Sequence, residues 1–220
     1  MPALLNTNAF EFLARLMVLF LVLPVHEFAH ALAATRLGDP TPEKQGRLTL
    51  NPFAHLDLFG SLALLLFGFG WGKSVRVDPQ HFKKPRRDMA ITAFAGPVSN
   101  IIMAAVFMAV LKLAWVFVES PRYHGMLYNL FMVFTLIITI NLTLAVFNLL
   151  PIPPLDGSKI LGALLPPRLY YGMAKYEGMI TVLLLVLLYT GILYIPINWA
   201  TGHLLTFLDF ITRPIDLLAR

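Results

Sequence analysis

The chain has 220 residues, of which 58% are hydrophobic and only 13% are charged, and its mean hydropathy is +0.72. Soluble domains are roughly a quarter charged and disordered chains are richer still in charge, so this composition excludes both classes. The net charge of +5 is typical of basic cytoplasmic loops and predicts no nucleic-acid partner. The absence of cysteine excludes disulfides, a thiolate zinc site and a cysteine nucleophile.

The apolar runs predict an all-α integral membrane protein, a bundle of about four to six transmembrane helices. Residues 1–220 are expected to form a single polytopic domain. The first run, 10–35, lacks a basic leader and is too long for the core of a cleavable signal peptide. Residues 36–55 are polar and rich in Gly, Pro and Asn, which predicts a short embedded segment of turns and β-structure after the first helix.

Residues 58–71 are apolar but number only 14, too few to span a bilayer comfortably. We therefore expect a re-entrant or interfacial segment there, with its irregular backbone buried by protein. Three longer apolar runs and a short terminal one follow, at 89–118, 126–150, 176–195 and 199–211. The catalytic core is expected over about 10–165 and the C-terminal helices over 176–212.

Basic residues are concentrated between positions 36 and 90, which hold nine Lys and Arg, whereas the first nine residues hold none. The positive-inside rule therefore predicts that 36–90 and 151–175 face the cytoplasm and that the N-terminus lies outside the cell membrane. This orientation requires that 58–71 return to the side from which it enters. The basic run 83–87 is interpreted as an anchor for anionic membrane lipid.

The sequence His26-Glu-Phe-Ala-His30 has the pattern H-E-x-x-H. On a helix, positions four apart share a face, so His26 and His30 can bind one zinc ion while Glu27 acts beside it as a general base. The competing interpretation is chance spacing, with both imidazoles satisfied by nearby carbonyl groups. Ionisable side chains inside a membrane helix are costly and are usually functional, which favours a zinc site.

A catalytic zinc ion needs a third protein ligand, and Asp156 is the candidate. The first run ends on the cytoplasmic side, and after two more crossings the third span ends there too, about one turn before Asp156. Prolines at 151, 153 and 154 prevent a regular helix, so the backbone could direct this carboxylate sideways. The competing interpretation is a helix-terminating turn, in which Asp-Gly is ordinary.

Three motifs in this order resemble those of the site-2 proteases, which are intramembrane zinc metalloproteases. HEFAH at 26–30 is similar to their H-E-x-x-H, and NLLPIPPLDG at 148–157 to their N-x-x-P-x-P-x-L-D-G. AGPVSN at 95–100 resembles the G-P-x-x-N signature of their middle core helix, and NPFAHLD at 51–57 resembles a compact subgroup. No PDZ insertion is seen between the second and third spans.

The resemblance implies a single zinc ion held by His26, His30 and Asp156, with Glu27 as the catalytic acid and base. It implies a zinc-dependent endopeptidase that hydrolyses peptide bonds within or near transmembrane helices of membrane-protein substrates. The active site is expected toward the cytoplasmic side. An extended substrate could pair with an exposed edge within 36–55.

Two further residues are weaker candidates for contacts with the substrate or the oxyanion. Asn148 could bind either one, or it could cap a helix end. His55, flanked by Asn51 and Asp57, could act as a transition-state donor, although such a histidine is more often satisfied within its loop. Asn100 and Asn141 are interpreted as interhelical contacts.

Two other classes of protein remain open at this stage. One is a different membrane metalloprotease that uses a downstream Glu as a ligand. The other is a non-proteolytic transporter or ion- or proton-binding protein that uses the His, Glu and Asp side chains inside the membrane. Transporters commonly show paired broken helices in two related halves, and the sequence shows no such repeat.

Overall fold

The computed structural model describes residues 9–217 apart from 69, 118–123, 167, 169–171 and 173–174. These residues form nine α-helices joined by turns and contain no named strand. The helices are α1 (Ala9–Met17), α2 (Leu23–Leu37), α3 (Thr41–Lys44), α4 (Leu58–Phe67), α5 (Pro85–Phe117), α6 (His124–Leu149), α7 (Asp156–Leu164), α8 (Glu177–Tyr189) and α9 (Tyr194–Asp216). The predicted all-α membrane architecture is confirmed.

The first span is one helical rod made of α1, a π-helical turn at Val18–Val22, and α2. The π turn arises where Pro24 has no N–H to offer to the preceding turn, and the N–H of Leu23 instead bonds the carbonyl of Val18. The rod ends at Gly38, whose φ of 110° is left-handed and whose N–H bonds the last carbonyl groups of α2.

The re-entrant segment around α4 returns to its starting point. Leu56 pairs with Gly72 in an isolated antiparallel bridge, and the N–H of Lys73 bonds the carbonyl of His55 at 2.8 Å. The two ends of the segment therefore lie side by side, which is the arrangement that a re-entrant segment requires. In the described part of the chain this bridge is the only β pairing. Residues 36–55 contain the end of α2, the short helix α3, a 3₁₀ turn at Pro52–Ala54 and irregular turns, with no strand.

The membrane core is formed where α5, α6 and α9 pack together. Ala104 and Met108 of α5 contact Ile138 and Leu142 of α6, and Leu208 of α9 closes the cluster. By length and composition, three helices can cross a membrane: Glu11–Leu37, Pro85–Trp115 and Phe131–Leu149. A fourth crossing is reached if α8 and α9 count as one bent span, which is the lower end of the predicted range.

The C-terminal helices break at a different place from that predicted. The sequence predicts one span over 176–195 and a short helix over 199–211, but α8 ends at Tyr189 and α9 begins at Tyr194. The two helices meet at an angle of 79°. Gly191 in the connecting turn has a φ of 75°, which ends helical geometry, and the apolar sequence continues unchanged across the break.

Candidate metal centre

Three side chains from distant parts of the sequence converge on one point. His26 and His30 lie on successive turns of α2, and Asp156 is the first residue of α7. Nε2 of His26 lies 3.0 Å from Nε2 of His30, and Oδ2 of Asp156 lies 3.2 and 3.1 Å from these two nitrogen atoms. A tetrahedral zinc ion with bonds of about 2.0 Å separates its ligand atoms by about 3.3 Å, so this triangle has the size of one face of such a site.

The main chain of α5 orients one of the two imidazoles. Nδ1 of His30 lies 2.7 Å from the carbonyl oxygen of Thr92 and donates its proton to it. This bond places the free lone pair of His30 on Nε2, which faces His26 and Asp156. The Nδ1 atom of His26 is buried and has no hydrogen-bond partner among the described residues.

Gly96 forms the wall behind the two imidazoles. A Cβ atom built at this position would overlap the His30 ring and would lie 2.6 Å from Cε1 and Nε2 of His26. Only glycine lets the α5 backbone approach the ligand atoms so closely. The space enclosed by α2, α5 and α7 therefore fits a small cation bound by two nitrogen atoms and one carboxylate oxygen, which is a donor set typical of zinc.

The turn after α6 positions Asp156. Prolines at 151, 153 and 154 follow the end of α6 and prevent it from continuing. The first turn of α7 then packs against the last carbonyl groups of α6. A side chain at Gly157 would collide with the carbonyl oxygens of Leu149 and Leu150. Asp156 is 7% exposed. Its Oδ2 faces the two histidines while Oδ1 lies 3.4 Å from Nζ of Lys159.

Glu27 lies next to the triangle without being part of it. It is 8% exposed, and its Oε2 accepts the N–H of Val75 at 2.9 Å. Val75 belongs to an extended segment, 73–78, which is fixed at one end by the bond from Lys73 to His55 and at the other by the bond from the Asp78 N–H to Asp39. The main chain that follows the α4 segment thus contacts Glu27 and holds its carboxylate.

Asp39 fixes the far end of this segment. Burial alone would raise the pKa of the Asp39 carboxyl, but hydrogen bonds from Thr41 and from the Asp78 N–H, together with the nearby His81, outweigh it and hold that pKa below its usual range. Asp39 is fully buried and its Oδ1 lies 3.2 Å from Nδ1 of His81. Its ionised form therefore ties the end of α2 to the 73–78 segment.

His55 is a buried residue of the loop. Its Nε2 lies 2.8 Å from the carbonyl oxygen of Thr49, and its own carbonyl accepts the N–H of Lys73. Arg47 donates from Nη1 to the carbonyl groups of Ala54 and Lys73. The hydrogen bonds of the described residues thus join His55 to the loop and not to the metal ligands.

Among the described residues, Asn148 and the two buried asparagines make no hydrogen bond with the ligand triangle. The Asn148 amide donates back to the carbonyl of Leu144, one turn earlier on α6, at 2.9 Å. Asn141 donates in the same way to Ile137, and Asn100 is 1% exposed on α5. Their proposed contacts with substrate or with neighbouring helices therefore remain predictions.

The fold and the site together define a class: a protein of apolar, membrane-length helices with a candidate metal centre formed by α2 and α7 against α5. Residues 120–189 match the sequence profile of Peptidase family M50. "Putative zinc metalloprotease YwhC" of Bacillus subtilis (strain 168) is 39% identical over 197 residues, which cover 87% of this chain and 89% of the relative.

Two other relatives agree with this match. "Putative zinc metalloprotease Rip2" of Mycolicibacterium smegmatis is 30% identical over 84% of this chain and 69% of the relative. Stage IV sporulation protein FB of Bacillus subtilis is 29% identical over 77% of this chain and 57% of the relative. No solved structure matches the chain.

The chain therefore belongs to Peptidase family M50, the site-2 proteases. The resemblance drawn from the three sequence motifs is confirmed, and with it a membrane zinc metallopeptidase. No finding favours the transporter interpretation.

Proposed function

We propose that this chain hydrolyses peptide bonds within or beside the transmembrane helices of membrane-protein substrates. His26, His30 and Asp156 bind one zinc ion and Glu27 is the catalytic base and acid. The observation that carries this proposal is the buried triangle of ligand atoms with the Glu27 carboxylate beside it. Apolar helices surround these groups, so the substrate is a segment that reaches them from within the membrane.

When bound, zinc supplies Lewis acidity, which activates water near neutral pH and polarises a carbonyl group. Glu27 takes the proton of the attacking water and later delivers it to the leaving amine. The Val75 N–H holds Oε2, so Oε1 is the oxygen that carries the proton. The Thr92 carbonyl keeps His30 in the tautomer that leaves Nε2 free for metal.

The substrate helix must unwind locally, because a peptide carbonyl is accessible only when its helical hydrogen bond is broken. Water must also reach the site. The polar segment 36–55 and the extended segment 73–78 lie on the side where the metal ligands converge, and they provide polar groups at this end of the bundle.

Substitution of Glu27 tests the proposed function directly. Glu27→Gln keeps the size and hydrogen-bonding capacity of the side chain but cannot accept the proton. We expect full zinc content and a loss of about 10²- to 10⁴-fold in cleavage of a transmembrane substrate. Zinc is measured by elemental analysis of purified protein. Glu43→Gln, which alters an exposed glutamate of α3, is the matched control and should remain active. Zinc loss equal to that of His26→Ala would show that Glu27 is a ligand.

We also propose that the site faces the cytoplasm. The proposal is supported by the nine basic residues between 36 and 90 and by the return of the α4 segment to its starting side. The chain contains no cysteine, so Ser74→Cys introduces a single, exposed thiol close to Glu27. A membrane-impermeant maleimide should label it in inside-out vesicles and leave it unlabelled in intact cells. Labelling of intact cells would reverse the orientation.

A further inference from the structure

A second binding surface lies on the opposite side of α5 from the metal centre. A groove of about 820 Å³ runs between the first turns of α5 and the helix α7. Thr92 and Gly96 of α5 are buried against the histidines, whereas Ile91 and Phe94 are 43% and 47% exposed and line the groove. The helices α5 and α7 therefore border both the groove and the metal site, and the body of α5 separates the two.

The walls of the groove are apolar and its mouth is basic. Ala90, Ile91 and Phe94 of α5 face the apolar residues of α7, which are Ile160, Ala163 and Leu164. Lys84, Arg86 and Arg87 line the end of the groove where α5 begins. Because α5 enters the membrane at this end, the cations lie at the interface and the apolar walls lie deeper.

One of the three cations is already engaged. Nε and Nη2 of Arg86 bond the carbonyl oxygen of Gly162 at 3.3 and 2.7 Å, and Nη2 also bonds that of Leu165. Arg86 thus closes the C-terminal end of α7 and leaves little capacity for a ligand.

The other two cations are exposed to the membrane interface. The Lys84 ammonium makes no hydrogen bond or ion pair with the described residues. Arg87 is 62% exposed and its Nε lies 3.2 Å from the buried carboxylate of Asp88. With Lys84 and Arg87 against this one acid, the mouth keeps an excess of positive charge.

We propose that this groove binds one anionic phospholipid, with the phosphate between Lys84 and Arg87 and an acyl chain along the α5–α7 walls. Charge complementarity selects the headgroup, and the polar mouth above apolar walls matches the order of groups in a lipid at the interface. An extended peptide would leave its backbone polar groups unpaired against walls that offer no partner for them, whereas an acyl chain has no polar group to pair there. The bound lipid fills the gap on the outer side of α7, the helix that begins with Asp156.

The test uses the purified chain in mixed micelles of equal phosphatidylglycerol and phosphatidylcholine, analysed by native mass spectrometry. The wild-type chain should retain one phosphatidylglycerol in preference to phosphatidylcholine. Lys84→Gln combined with Arg87→Gln should reduce this preference about tenfold or more. Each basic residue near an anionic membrane surface strengthens lipid binding by roughly fivefold, and the double variant removes two of them. Lys83→Gln is the matched control, because Lys83 is exposed and adjacent but does not line the groove.

A second variant tests the apolar part without changing charge. Ala163→Phe places a ring in the groove and should reduce retention of phosphatidylglycerol while helical circular dichroism is unchanged. Equal retention of the two lipids by the wild-type chain would overturn the inference. A wild-type preference for phosphatidylglycerol in the double variant, or in Ala163→Phe, would also overturn it. If the double variant does not fold, the result for Ala163→Phe decides the test. These readouts do not depend on proteolysis.

Discussion

Among the described residues, two clusters of charged side chains lie within apolar helices, and they are built differently. Near the far end of α5, Lys112 lies 2.9 Å from Asp209 and 2.8 Å from Asp216 of α9. Its positive charge is matched by carboxylates within the protein, and those carboxylates are about half exposed. At the metal centre, two imidazoles and one carboxylate are less than a tenth exposed and direct their ligand atoms to one point.

The difference shows how a functional cluster in a membrane helix is distinguished from a structural one. The Lys112 cluster is satisfied by its own members and holds α9 against α5. Nδ1 of His30 donates to Thr92, so in a neutral His30 the Nε2 atom is an acceptor, as is Oδ2 of Asp156. The 3.1 Å approach of these two acceptors requires a cation or a proton between them. Each substitution below should affect one cluster and leave the other intact.

The largest effect is expected for Asp156→Asn, which removes a ligand charge and keeps the size of the side chain. A three-ligand site that loses one ligand binds zinc far more weakly. We expect loss of most zinc under mild chelation and no measurable proteolysis. Asp209→Asn makes the same change in the other cluster and should retain zinc and activity. Full zinc retention by Asp156→Asn would show that this residue serves the turn alone.

A smaller effect is expected for Gly96→Ala. The new methyl group would overlap the imidazoles of His26 and His30, so α2 and α5 must separate locally. Zinc affinity should fall about tenfold or more, as for other changes to the groups that orient metal ligands. Competition with a chelating dye measures this affinity. The matched control is Gly202→Ala on α9, where a Cβ atom would meet nothing within 4 Å. Equal zinc affinity in the two variants would contradict the role given to Gly96.

The smallest effect is expected for Lys112→Gln. Its carboxylate partners are about half exposed, so the loss of the pair should cost about 1 kcal/mol, or about 2–4 °C in the unfolding midpoint. Zinc content and cleavage should stay near wild-type, because the Lys112 cluster shares no residue with the metal centre. Thermal unfolding in detergent, followed by circular dichroism, measures the shift. Loss of zinc in this variant would mean that the two clusters are coupled.

The sequence predicted those parts of the site that depend on spacing and on the order of the spans. The distance of four between His26 and His30 places them on one helix face wherever the helix lies. Asp156 was paired with them because two crossings return the chain to the same side of the membrane. The roles of these three residues stay predictions until the variants above are measured.

Contacts made by the main chain were beyond sequence reasoning. The carbonyl of Thr92 and the N–H of Val75 orient His30 and Glu27. Every residue has a backbone carbonyl and every residue except proline an N–H, so no residue type indicates these contacts. The proximity of Gly96 to the imidazoles depends on the relative rotation of α2 and α5, which the sequence does not specify. The break between α8 and α9 falls inside the apolar run 176–195, so the apolar length alone predicts one span across it.

The π turn at Val18–Val22 sets the direction in which the side chains of α2 point relative to those of α1. Before it, Arg15 donates from Nη1 to the carbonyl of Leu65 at the end of α4, and after it the two histidines face Asp156. Each residue of a helix advances the direction of the side chains by about 100°. Without the extra residue of the wide turn, a rod that keeps Arg15 on α4 would turn both imidazoles about a quarter of a revolution away from Asp156. The first span thus satisfies two separate angular requirements that a uniform α-helix of this sequence could not meet together.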